Sequence, residues 1–270
     1  MIRDILKYEF LQNAVFASLF AGVICGIIGV IITEKKLLMM SGGIAHTAYG
    51  GVGLGYLLSF EPIIGAGIFA VASAFIIGAV KRKTRTNTDI IISLLWALGM
   101  ALGVIFISLM KGYPPDMNAY LFGNILSVTK SDLYLMAGLS VVILAVIIIF
   151  FNDWKAFLFD SEFAGINGIK TVFLEYALLL MTALSIVVLI RAVGIILVIA
   201  LLSAPAAISS FVSKRLSSRM VISSVITFVF CVIGLFVSYY VGVSSGASIV
   251  FAAALVYFVM MFIHKIRKRN

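Results

Sequence analysis

The 270 residues are 63% hydrophobic and only 11% charged, with a mean hydropathy of +1.21. A water-soluble domain carries roughly 25% charged residues, so this chain has too little polar surface to coat a globule in water, and its solvent is a bilayer. The net charge of +9 falls in short clusters between apolar runs rather than on one soluble face, which excludes a nucleic-acid footprint.

The opening MIRDILKYEFLQ is mildly amphipathic and suits the plane of a membrane interface. Apolar runs long enough for a spanning helix, about 20 residues, follow near 14–33, 41–60, 62–80, 89–110, 133–151, 172–190, 193–213, 220–241 and 246–263. The division between the sixth and seventh is the weakest, since only Arg191 and Gly194 interrupt the run. The runs are continuously apolar rather than alternating, so the expected fold is an all-α bundle and not a barrel. The first run has no cleavage signal and many spans follow it, so it is not expected to be a removed signal peptide. Cys25 and Cys231 both lie inside apolar runs, which fits neither a disulfide framework nor a cysteine metal site.

Basic residues orient the spans. Lys35 and Lys36, then Lys81, Arg82, Lys83 and Arg85, then Lys155 and Lys170, then Lys214, Arg215 and Arg219, then Lys265, Arg267, Lys268 and Arg269 fall on alternate sides of the runs. The opposite side keeps Arg3, Lys7, Lys111, Lys130 and Arg191. The rule places the C-terminus in the cytoplasm and, with nine spans, the N-terminus outside. Two connections exceed a turn: 114–132, expected outside, and 151–170, expected inside. Pro114, Pro115 and Asp116 start a turn in the first, and LFGNIL (121–126) is apolar enough to dip back into the membrane. Neither connection divides the chain, so residues 1–270 are expected to form a single transmembrane domain.

The second run reads MSGGIAHTAYGGVGLG over 40–55 and places His46 among six glycines. Gly42, His46 and Gly50 share one helix face at a spacing of four. Gly22/Gly26, Gly51/Gly55 and Gly99/Gly103 are small-residue pairs that allow close helix approach in a membrane. An intramembrane histidine either hydrogen-bonds a neighbouring helix or borders an aqueous path. The glycines on its face leave room beside the imidazole and favour the second reading, and a neutral imidazole suits Zn²⁺ and similar ions. Pro205 interrupts an apolar run and predicts a kink, static or moving during transport. In 160–170, Ala164 and Gly168 are four apart with Glu162 and Lys170 at the edges. By spacing this is a solvated connector, or a short helix seated in a partner's groove.

Several catalytic patterns fail. There is no HExxH. GVSSG (242–246) joins two spans and lacks the strand and partners of a nucleophile elbow. INGIKT (166–171) lacks the GK[ST] core of a phosphate loop, so ATP is not hydrolysed by that route on this chain.

Taken in order, GGIAHTAYGGVGLG, MNAYLFGNILSVTKSDL, FDSEFAGINGIK, VGIILVIALLSAPAA before SKRLSSR, and SSGASIVFAAAL resemble the membrane subunits of bacterial and archaeal ABC importers for zinc, manganese and iron ions. The resemblance runs over nearly the whole chain. It implies a type II ABC importer-like bundle of about nine spans in a prokaryotic cytoplasmic membrane. It further implies a homodimer with a central path, two ATP-hydrolysing subunits below and a metal-carrying solute-binding protein above. Residues 151–170 would then be the coupling segment, with Glu162, Ala164 and Gly168 against the ATPase. His46 would be the metal-pathway residue. No permanent cofactor is implied, ATP is used by the partner, and the chain itself is not an enzyme. The family often has Asp four residues before the histidine; here that position is Gly42. Two rival readings are a stand-alone secondary transporter or channel, which would place more acidic residues within its spans, and a non-transporting scaffold.

Overall fold

The computed structural model describes residues 7–83, 88–111 and 118–267, and all secondary structure among them is helical. The helices are α1 (Glu9–Glu34), α2 (Leu38–Leu57), α3 (Pro62–Lys83), α4 (Thr88–Ser108), the short α5 (Asn118–Phe122), α6 (Lys130–Ile149), α7 (Phe151–Phe159), α8 (Ser161–Ile166), α9 (Thr171–Val193), α10 (Ile195–Val212), α11 (Leu216–Val241) and α12 (Ser245–Arg267). A 3-10 turn occupies Ile125–Ser127. Each of the nine apolar runs is one long helix. Eight of these are long and apolar enough to cross a membrane. The ninth, α2, has too many glycines to match their hydropathy, and 15 of its 20 residues are buried. A helix enclosed by protein needs no lipid-soluble surface, so α2 spends its composition on close contact instead. Residues 1–6, Arg85, Pro114, Pro115, Asp116, Lys268 and Arg269 lie outside the described residues. Glu9–Gln12 of the expected interfacial segment belong to α1, where Leu11 is fully buried.

Local chemistry sets the ends. Thr129 and Asp132 form a reciprocal capping box at the start of α6: the Thr129 amide donates to Asp132 Oδ2 (3.0 Å) and the Asp132 amide to Thr129 Oγ1 (3.3 Å). Asp160 Oδ1 accepts from the amides of Glu162 (2.9 Å) and Phe163 (3.0 Å), which starts α8. The weak boundary between the sixth and seventh runs is one residue, Gly194, with φ +81° and ψ 159°. That conformation belongs to glycine. It separates α9 from α10, while α10 continues through Pro205 without a break.

The chain divides into two compact units, each assembled from segments distant in sequence. One comprises residues 1–35, 118–146 and 189–270. In it α1 packs against α10 and α11, and α10 against α11 and α12. Gly22 and Gly26 let α1 lie directly on Ser224 and Phe228 of α11. Gly123 and Gly194, both at positive φ, press their backbones together, so the 118–127 segment is seated on the α9–α10 break. Glu34 at the end of α1 pairs with the buried Arg219 of α11.

The other unit comprises residues 36–117 and 147–188. Its centre is α2, flanked by α3 and α4. A methyl group on Gly50 would stand 2.8 Å from the Gly99 carbonyl oxygen, and one on Gly53 2.8 Å from that of Gly103. The backbones of Gly51 and Gly65 approach even more closely. Lys81 of α3 meets Glu175 of α9 at 2.6 Å, with Arg82 at 3.9 Å from the same carboxylate.

Candidate functional site

Glycine contacts bring α2 and α4 close enough for side chains to share one layer. Thr47 pins the register: its hydroxyl donates to the Gly43 carbonyl one turn back (2.7 Å) and lies 3.2 Å from the Leu95 carbonyl of α4. His46, 9% exposed, is therefore held against the 96–100 turn of α4. Its imidazole stacks on the Trp96 indole with ring centroids 4.2 Å apart and planes 13° from parallel. Its Nδ1 lies 3.2 Å from Met100 Sδ.

Gly42 belongs to the same arrangement. A Cβ there would stand 3.0 Å from Trp96 Cζ3. The indole thus lies over the position where a carboxylate would project, and the missing side chain at 42 is what admits it. Gly42 and His46 on one helix face Trp96 and Met100 on the other, at the same spacing of four. Trp96 and Met100 were not singled out from sequence, because in an apolar run an indole and a thioether look like ordinary filling. Their own i, i+4 spacing, interleaved with Gly99 and Gly103, was the available signal. Among the described residues no three His, Cys, Asp or Glu side chains gather into a metal-holding group. His264, the second histidine, stacks on Phe211 at 4.9 Å. The side-chain atom that meets the His46 ring nitrogen is the Met100 thioether sulfur.

The 151–170 connector folds into α7 and α8, which pack on each other. Glu162 is exposed on α8. Ala164 is 1% exposed and faces its own chain. Gly168 takes φ +83°, and a Cβ there would meet nothing. Solvent meets a different set of side chains: Phe159 is 94% exposed, Phe163 63% and Ile166 85%. Sequence reading found the segment and missed these three.

Eight helices long and apolar enough to cross a membrane, together with a glycine-rich ninth that carries a buried imidazole, define a polytopic membrane protein. Residues 7–264 match the ABC 3 transport family, and the chain belongs to it. It is 41% identical over 256 residues to the uncharacterized membrane protein slr2045 of Synechocystis, covering 95% of this chain and 91% of that one. It is 33% identical over 258 residues to the manganese transport system membrane protein MntC of Listeria monocytogenes, covering 96% and 92%. Among solved structures it resembles PsaBC from Streptococcus pneumoniae in complex with Fab, with a TM-score of 0.86, 33% identity, and 97% and 94% of the two chains covered. The protein is a multi-pass membrane permease of the ABC transporter class.

Proposed function

We propose that this permease carries a divalent metal ion inward as the membrane part of an ATP-driven complex. Two copies form the path on a two-fold axis, an arrangement that repeats every path residue. Two separate ATPase subunits dock at the cytoplasmic face, and a metal-carrying solute-binding protein docks outside. The observation that carries the reading is His46: an imidazole within an apolar bundle, surrounded by glycines, with a metal-transport protein among the chain's relatives. Intramembrane ionisable groups mark substrate pathways. A pathway residue must also bind loosely enough to release its ion, which an incomplete ligand set achieves.

The C-terminus, with Lys265 and Arg267, lies in the cytoplasm by the basic-residue rule. The 151–170 segment is then cytoplasmic and transmits ATP-driven closure. Glu162 and Gly168 lie on its exposed part, Ala164 supports it from inside, and Phe159, Phe163 and Ile166 supply apolar contact. Reconstitution of the chain with an ATPase and a solute-binding protein tests the reading: metal-dependent ATP turnover and uptake are expected. Uptake that proceeds without the ATPase would establish a stand-alone transporter instead.

A further inference from the structure

We propose that Glu34 and Arg219 form a releasable latch between the ends of α1 and α11, closed in this structure and opened in each transport cycle. The inference rests on the reading of the chain as an ATP-driven permease and names two positioning residues for that cycle.

Charge placement comes first. Glu34 is the last residue of α1, and Arg219 lies at the start of α11. A helix end carries about half a unit charge, positive at the N-terminus and negative at the C-terminus. Each ionised side chain therefore stands at the end of its own helix that repels it, and the other relieves it. A second pair in the same unit is arranged the opposite way. Asp132 lies in the first turn of α6 and Arg191 in the last turn of α9, with Arg191 Nε 3.6 Å from Asp132 Oδ1. There each charge sits where its own helix favours it. The Asp132–Arg191 placement suits a permanent tie, and the Glu34–Arg219 placement suits a tie that opens.

Hydrogen bonding gives independent support. Arg219 Nε, Ser223 Oγ and Thr33 Oγ1 are buried with no hydrogen-bond partner among the described residues. Other hydroxyls of the same two helices donate to their own backbone, Ser18 to the Ala14 carbonyl at 2.7 Å and Thr227 to that of Ser223 at 2.8 Å. Ser223 follows Arg219 by one turn, and Thr33 directly precedes Glu34. A buried polar atom without a partner is costly, and contact with water removes that cost. Opening the latch thus loses one ion pair but satisfies three polar atoms, which narrows the gap between the two states. The backbone agrees: Lys36, two residues after Glu34, takes φ +56°, a conformation that a residue with a side chain adopts at a cost. Release of Glu34 lets that segment relax.

The test uses the full chain in nanodiscs with its ATPase and solute-binding partners, and Mn²⁺ as the probe metal. The charge swap Glu34→Arg with Arg219→Glu keeps a pair but moves both charges to the favourable helix ends. It should raise Tm by about 2–4 °C and slow metal-stimulated ATP turnover at least about fivefold. A pair with a structural role alone would raise Tm and leave turnover unchanged. A second measurement does not depend on the swap folding: maleimide labelling of Ser223→Cys in a Cys25→Ala, Cys231→Ala background. Labelling should be slow at rest and at least about fivefold faster during ATP turnover, as opening exposes the site. Wild-type turnover in the swap, or a Ser223→Cys thiol as protected during turnover as at rest, overturns the latch. A wild-type complex whose ATP turnover does not respond to metal overturns the permease reading instead.

Discussion

Trp96 lies flat on His46, with ring centroids 4.2 Å apart, and the same indole covers Gly42. One side chain of α4 therefore packs both on the imidazole and beside the glycine one turn before it. Aromatic stacking is worth about 0.5–1.5 kcal/mol beyond area burial. Trp96→Ala should release the imidazole and lower metal affinity by roughly 2–10-fold, while Trp96→Phe should retain most of it. Isothermal titration of the purified chain measures both.

The chain's glycines divide into those that hold a close backbone contact and those with open space where a side chain would go. Gly51 lies directly on the Gly65 backbone, where any side chain forces the helices apart. Gly51→Val should destabilise the chain by about 3 kcal/mol or more, through overpacking. Gly138 in α6 has open space where a Cβ would go. Gly138→Ala should raise stability by up to about 1 kcal/mol from helix propensity. Thermal unfolding in detergent ranks the two against wild type.

Arg219 is 8% exposed and, among the described residues, is ion-paired with Glu34. Removing one partner of a buried pair costs about 3–5 kcal/mol, and partial exposure of the Glu34 side chain, 36%, reduces that. Glu34→Gln should cost about 1–3 kcal/mol. Adding Arg219→Gln should recover part of the loss, since no unpaired charge then remains. A double-mutant cycle by chemical denaturation reads the coupling.

The exposed apolar set on α7 and α8 separates docking from folding. Phe163 is 63% exposed, so Phe163→Ser should leave thermal stability within about 0.5 kcal/mol of wild type and yet abolish metal-stimulated ATP turnover in the complex. Asp160→Ala acts differently: it removes the cap of α8 and should cost about 1 kcal/mol together with a partial loss of coupling. Equal effects of the two on stability would contradict the assignment.

Much of this architecture is legible in the sequence because a bilayer imposes a simple length rule. Nine apolar runs became nine long helices, and even the single-residue break at Gly194 fell where Arg191 and Gly194 interrupt the pattern. The small-residue pairs were legible too: Gly22/Gly26, Gly51/Gly55 and Gly99/Gly103 all sit at helix contacts. The site was only half legible. His46 stood out as a polar residue in an apolar setting, whereas Trp96 and Met100 did not, because apolar type carries no mark of which neighbour it meets. Contact across about fifty residues of sequence is a tertiary fact. The two-unit grouping was hidden for the same reason, since each unit gathers segments from distant parts of the chain. In the connector, the spacing of Ala164 and Gly168 identified the segment, but helix phase turned Ala164 inward and Phe163 outward.

The most direct test of the account is metal uptake by the complete complex carrying His46→Ala. The complex should remain assembled and hydrolyse ATP at its basal rate, while metal uptake and metal-stimulated turnover fall at least about tenfold, the loss of roughly one ligand. Uptake equal to wild type in an intact His46→Ala complex would contradict a pathway through this imidazole.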